Sequence, residues 1–210
     1  MTASGGPFAF KKDVDLEKVS VKDALNHPRW SMGPKVTIDS ATMMNKGLEI
    51  IEARWLFDLE LSKIDVVLHP ESIVHSLVEF VDGSMLAQMS LPDMRLAIQY
   101  ALTYPERYAG DLPSLDLAQM GALHFAEPDA GRFPCLRIAR EASLRGGTMP
   151  TVMNAANEVA VAAFLKEEIS LAGIWQMVED IMNEHDVIET PDLSAVFEAD
   201  KWARCYSLNN

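Results

Sequence analysis

The sequence predicts an α/β (α+β) chain in two parts: a mixed-sheet domain with helices on one face, then an all-α helical bundle. Three observations predict it. Two strand-like runs flank Asp82-Gly83, a strong hairpin signal. A stretch carrying Pro105, Pro113, Pro128 and Pro134, with little periodicity, then interrupts the chain. Beyond it, apolar residues recur at helical spacing to the end. The expected boundaries are a first domain over 1–103, a linker over 104–133 and a bundle over 134–210.

Each element has its own signal. The Ser-Gly-Gly-Pro turn at 4–7 has no element before it to connect, as in a piece cut from a larger domain. Residues 11–34 are polar and irregular, and Pro28, Gly33 and Pro34 surround His27, Trp30 and Met32. Large side chains on a Pro/Gly-hinged loop suit a lid; the plainer alternative is a loop whose Trp packs down on the body. A strand is expected over 36–38, running into a helix that opens at Asp39 or Ser40. At about 100° per residue, Asn45, Lys46, Glu49 and Glu52 share one face, while Met44, Leu48, Ile51 and Trp55 form a stripe suited to a core. Buried strands are expected over 64–68, 73–81 and 84–90, the last two apolar enough to be covered on both faces, by helices on one and a partner subunit on the other. Leu91-Pro92 breaks the sheet and Asp93 caps a helix to about residue 102. In the bundle, Pro134 starts a helix that Gly146-Gly147 stops, and helices follow over 149–168, 171–184 and 192–208.

Composition narrows the partners. A formal charge of −13 argues against nucleic acid and anionic membrane, both bound by basic surfaces. Cys135 and Cys205 lie far apart with no C-x-x-C, which suits a reducing compartment. No apolar run reaches membrane-spanning length. The expected location is the cytoplasm, with a plastid leader left open by an N-terminus that looks cut.

An acidic protein that binds phosphate must do so in a local pocket. Ser4, His27, Ser40, Asn45 and Lys46 supply donors, and Glu49 the acid. Such donors beside the free N–H groups of a helix start describe a phosphate cradle. The bland alternative is a capped helix whose solvated face holds a weak Lys46–Glu49 pair. His69 and His75 have spacing suited to metal, although a histidine at a strand end is more commonly a satisfied structural group. Asn154, Asn157 and Glu158 look like interhelical glue. No G-x-S-x-G, Cys–His or G-x-G-x-x-G arrangement is evident, and one well-placed carboxylate is too few for a catalytic divalent ion. On residues alone this is half a site.

Read together, T-A-S-G-G-P-F, H-P-R-W-S-M-G, D-S-A-T-M-M-N-K-G-L-E with I-E-A-R-W-L-F, H-P-E-S-I-V-H-S, L-P-D-M-R and N-A-A-N-E stand in an order that resembles the 1-deoxy-D-xylulose 5-phosphate reductoisomerases. The resemblance runs from Ser4 to the C-terminal helices. It implies an NADPH-dependent, metal-requiring enzyme of non-mevalonate isoprenoid biosynthesis. Such an enzyme rearranges 1-deoxy-D-xylulose 5-phosphate and reduces the product to 2-C-methyl-D-erythritol 4-phosphate. Carried over by motif, Ser4, Ser40, Asn45 and Lys46 hold the phosphate and nearby hydroxyls of this small sugar substrate. His27 and Trp30 close onto it from the loop, with Met32 beside them. Met32 and Gly33 face NADPH, Met94 lines the pocket wall, and Lys46 and Glu49 take part in catalysis. Glu49 is also a ligand to Mn2+, Mg2+ or Co2+. A homodimer through the catalytic-domain sheet is implied as well. The family's N-terminal NADPH-binding domain and its D-S-E segment, with two further acidic ligands, are not in this sequence. The chain by itself is therefore expected not to turn over. The competing expectation is a non-catalytic fragment that dimerises through its sheet and binds anions weakly.

Overall fold

The computed structural model describes residues 1–207. In chain order these form β1 (Thr2–Ala3), α1 (Val21–Ala24), α2 (Pro34–Thr42), α3 (Met44–Phe57), β2 (Val67–Leu68), β3 (Val74–Glu79), β4 (Met85–Met89), α4 (Met94–Thr103), α5 (Leu117–Met120), α6 (Cys135–Arg145), α7 (Met149–Leu165), α8 (Leu171–Glu184) and α9 (Leu193–Ser207), with 3₁₀ turns at Leu16–Lys18 and Leu61–Lys63. They fall into two compact units that are not consecutive in sequence. Met1–Ser4 and Val66–Glu127 make the first; Gly5–Asp65 and the chain from Pro128 onward make the second.

The first unit is small-sheet and loop-rich. β1 pairs with β2 in parallel, Thr2 opposite Val67, and the Thr2 hydroxyl donates to the Val74 carbonyl at 2.7 Å. β3 and β4 form the expected antiparallel hairpin, with Val78 opposite Leu86 and an irregularity between Val74 and Ser76. Its turn needs Gly83 at φ 82°, and Asp82 accepts the Ser84 N–H at 2.9 Å. Asp93 caps α4 by accepting the Arg95 N–H. His69 is a satisfied structural group. Its Nε2 accepts from the Ile73 N–H, its Nδ1 faces the His124 carbonyl, and its ring stacks on Phe125 at 4.7 Å. His75 Nε2 meets the Ser90 carbonyl at 3.1 Å.

The second unit is a helical assembly around α7. Val152, Met153, Ala156, Ala160 and Phe164 of α7 are buried with Ile174, Val178 and Ile181 of α8 and Ala203 of α9. Each large apolar side chain so buried contributes about 1.5–3 kcal/mol. α3 lies on α6, and the approach is close: a β-carbon on Gly47 would stand 2.7 Å from Ala139 Cβ. Arginines tie connecting segments down through backbone carbonyls. Arg132 donates to Lys11 and Val14 at 3.1 and 3.0 Å, and Arg140 to Leu61 at 3.0 Å and to Ile64.

Several sequence expectations need correction. Residues 36–38 are helical, because Pro34 at the first position of α2 pre-sets the helix and Ile38 and Ala41 bury against the body. The helix expected to open at Asp39 or Ser40 is two helices, α2 and α3, parted at Met43. Trp55 leaves the expected core stripe and is 71% exposed, while Gly47 and Ile50 face inward with Met44. The strand over 64–68 shortens to Val67–Leu68. The hairpin, expected to be covered on both faces, exposes Val78, Phe80, Met85 and Leu86 within the chain. The boundaries at 103 and 134 also differ from the observed grouping. Residues 5–65 pack with the helices that follow Pro128, a long-range association with no local sequence signal. The last helix is described to Ser207, and Leu208 lies outside the described residues.

Candidate functional site

The candidate site lies where α2 ends and α3 begins. Met43 adopts the left-handed conformation, φ 65°, so the chain turns sharply between the helices. Its N–H still reaches the Ser40 carbonyl at 3.3 Å, and Thr42 Oγ1 accepts the Met44 N–H at 3.3 Å. Asn45 and Lys46 therefore occupy the first turn of α3, where backbone N–H groups have no intrahelical partners and the helix dipole favours an anion. Asn45 Nδ2 donates to Glu49 Oε1 at 3.0 Å, and the Lys46 ammonium pairs with Glu49 Oε2. Ser40 is half-buried in the last turn of α2.

The Gly-Gly turn fits against this joint. Gly6 has φ 57°, and a β-carbon there would come within 2.7 Å of the Ser40 carbonyl oxygen and 3.0 Å of Ala41 Cα. Only glycine allows so close a backbone approach.

Upstream, His27 organises the loop that enters α2. Its Nδ1 accepts the N–H groups of Arg29 and Trp30 at 3.2 and 2.9 Å. Burial holds its pKa below the usual 6.5, in keeping with an acceptor nitrogen that stays unprotonated. Trp30 and Met32 are half-buried, and Gly33 is the exposed, extended N-cap of α2 with open space beside its Cα. Ser4 and Met94 belong to the other unit. Ser4 is half-buried after β1, and Met94 opens α4 with 58% exposure.

The structure thus unites Asn45, Lys46 and Glu49 directly, with Ser40 across the helix break, and His27 with Trp30 in the loop. Sequence reasoning missed Asp39. Read as a helix cap, it is a buried carboxylate, 1% exposed, that pairs with Lys35 at 2.6 Å and accepts from Asn157 Nδ2 at 2.9 Å. Burial raises its pKa above the usual 3.8, opposed by the bonds from Lys35 and Asn157. Lys35, one turn before Asp39, was a legible signal; Asn157 was not. Asn157 does bridge helices as expected, and Asn154 donates to Glu158, which pairs with Arg204 of α9.

For a divalent cation, the Asn45–Lys46–Glu49 cluster offers the Glu49 carboxylate. Among the described residues no group of three or more His, Cys, Asp or Glu could hold a metal ion. A hard cation needs several oxygen ligands, so these residues do not complete a metal site.

Fold and site define a class: an α/β chain with a helical bundle that sets a polar, charged cluster on one helix start. Family models narrow it. The DXP reductoisomerase C-terminal domain matches residues 89–206, and the 1-deoxy-D-xylulose 5-phosphate reductoisomerase C-terminal domain matches residues 1–57. The chain belongs to the DXP reductoisomerase family. It is 61% identical over 204 residues to the 1-deoxy-D-xylulose 5-phosphate reductoisomerase of Pelotomaculum thermopropionicum, covering 97% of this chain and 53% of that protein. With that of Heliobacterium modesticaldum it shares 56% over 207 residues, covering 99% and 53%. A solved Zymomonas mobilis reductoisomerase in complex with NADPH superposes with a TM-score of 0.91 at 44% identity, covering all of this chain and 54% of that one. A DOX-P reductoisomerase crystallised with NADPH, fosmidomycin and magnesium gives 0.92 at 47% identity, covering all of this chain and 53% of that one. The chain spans about half the length of the relatives it matches.

Proposed function

We propose that this chain is the phosphate-gripping part of an NADPH-dependent reductoisomerase that converts 1-deoxy-D-xylulose 5-phosphate to 2-C-methyl-D-erythritol 4-phosphate. The observation that carries the reading is the Asn45–Lys46–Glu49 cluster on the first turns of α3, in a chain of this family. Lys46, Asn45 and Ser40 bind the phosphate, and binding energy from that non-reacting group orients the reacting carbons. Ser4 and Met94, in the other unit, keep only the substrate-contact roles that the family resemblance gives them. His27 and Trp30 close the loop over the substrate and keep water from a reactive aldehyde.

NADPH, when bound, supplies the hydride, and Met32 and Gly33 present the backbone that meets it. The proposed cation is Mg2+ or Mn2+, with Glu49 as one of its ligands. The relative solved with magnesium supports that choice, and the further ligands are partners from outside this cluster, since among the described residues no group of three or more His, Cys, Asp or Glu could hold a metal ion. Lys46 and Asn45 hold Glu49 in place until those partners arrive. A homodimer is part of the same proposal, formed through the exposed apolar hairpin β3–β4. So is a cytoplasmic location, supported by Cys135 and Cys205 forming no disulfide.

The test is NADPH oxidation. The 210-residue chain alone, given substrate and Mg2+, is expected to be silent. Fused behind the part of the Pelotomaculum protein that precedes the matched region, it is expected to turn over, and Lys46→Ala in the fusion to lose about a hundredfold or more in kcat/KM. A silent fusion that still folds and dimerises would replace this reading with that of a non-catalytic assembly unit.

A further inference from the structure

Asp39 is a buried carboxylate with no part in the proposed reaction. Its two oxygens are bound from different elements. Lys35, on the first turn of α2, reaches one at 2.6 Å, and Asn157, fully buried in the middle of α7, reaches the other at 2.9 Å. Packing alone does not call for it. Thr37, Ile38, Ala41 and Thr42 already bury α2, and apolar groups generally hold a core at least as well as a buried charge.

The pair also has only one arrangement. An ionised carboxylate only accepts, so the Asn157 amide must turn its Nδ2 toward Asp39. That leaves Asn157 Oδ1 buried with no hydrogen-bond partner among the described residues. An orphan acceptor is a cost to stability that a purely structural contact would avoid.

Asp39 immediately precedes Ser40, and the chain turns through the left-handed Met43 into Asn45 and Lys46. On the other side of Ser40 lies the close backbone of Gly6. Resting on the phosphate-site reading above, we propose that Asp39 is a positioning residue: its bond to Asn157 fixes the last turn of α2 so that Ser40 meets the anion gripped by Asn45 and Lys46. Lys35 neutralises the buried carboxylate and links this anchor to the loop that ends at Gly33.

The test is binding of inorganic phosphate to the 210-residue chain, followed by amide NMR shifts, with thermal midpoints measured in parallel. In the wild type the amides of Ser40, Asn45 and Lys46 are expected to shift together. Asp39→Asn and Asn157→Ala are expected to weaken phosphate binding about tenfold, the size of one lost charge-assisted hydrogen bond, and to detach the Ser40 shift from the other two. The swap Asp39→Asn/Asn157→Asp rebuilds an amide–carboxylate pair and is expected to recover affinity to within about twofold. Val178→Ala, a cavity in the bundle, is expected to lower the thermal midpoint with phosphate affinity unchanged. If the Asp39 and Asn157 variants bind phosphate like the wild type, or Val178→Ala weakens binding as they do, the positioning role is wrong. If the wild type shows no shift at Asn45 and Lys46, the phosphate-site reading itself falls, and this proposal with it.

Discussion

Burial gives Asp39 a pH dependence of unusual sign for a carboxylate. Desolvation raises its pKa above 3.8, outweighing Lys35 and Asn157. The folded chain therefore binds this proton more tightly than the unfolded chain. Its contribution is fully present below 3.8 and is lost as pH rises through the raised value. Asp39→Asn removes the effect. The wild type's lead in thermal midpoint over that variant is expected to widen as pH falls from neutral toward about 4, measured by circular dichroism. A constant or shrinking gap would show that Lys35 holds the group ionised throughout. At this scale the sequence was informative where partners are near. Asn45, Lys46 and Glu49 lie within one turn, and their shared face follows from helical periodicity. It was silent on Asp39, whose partner Asn157 is 118 residues away, and on Trp55, which lies near the end of α3 where cover runs out.

Helix α3 is held where it is by an absence of side chain. At Gly47 an added β-carbon would meet Ala139 Cβ at 2.7 Å and the Cys135 carbonyl at 3.2 Å, both on α6. Gly47→Ala should gain up to about 1 kcal/mol of helix propensity, yet lose about 1–3 kcal/mol to overpacking and move the site-bearing turn. Adding Ala139→Gly reopens the space. The double variant is expected to recover most of the lost midpoint, and additive losses would mean that the contact is not the cause. Element ends were well marked in the sequence. Asp93 caps α4 and Gly146 closes α6, each with its own hydrogen bond. The break at Met43 was not marked. Neither Gly nor Asn stands there, and the turn is set by Thr42 and by the packing of α2, so a continuous helix from Asp39 was the natural reading.

For the whole molecule, the exposed hairpin carries the assembly proposal. Val78 and Leu86 face each other across β3 and β4 and are 57% and 65% exposed. Leu86→Lys is expected to convert the proposed dimer to monomer by sedimentation, with a change of no more than about 0.5 kcal/mol in intrinsic stability. A species that sediments as before would put the interface elsewhere. The grouping of segments was the least legible feature, since it depends on helices that follow Pro128 closing over residues 5–65. That interleaving bears on how the protein is made. Translation proceeds from the N-terminus, and α3 leaves the ribosome well before α6 supplies its cover or α7 supplies Asn157. The Ser40–Glu49 segment must therefore wait, unsupported, through the synthesis of some eighty further residues, about four to sixteen seconds at ordinary elongation rates. During that interval its apolar face, Met44 and Ile50, is open to chaperones and to neighbouring nascent chains. The vulnerable moment in this protein's life comes before its last helix exists.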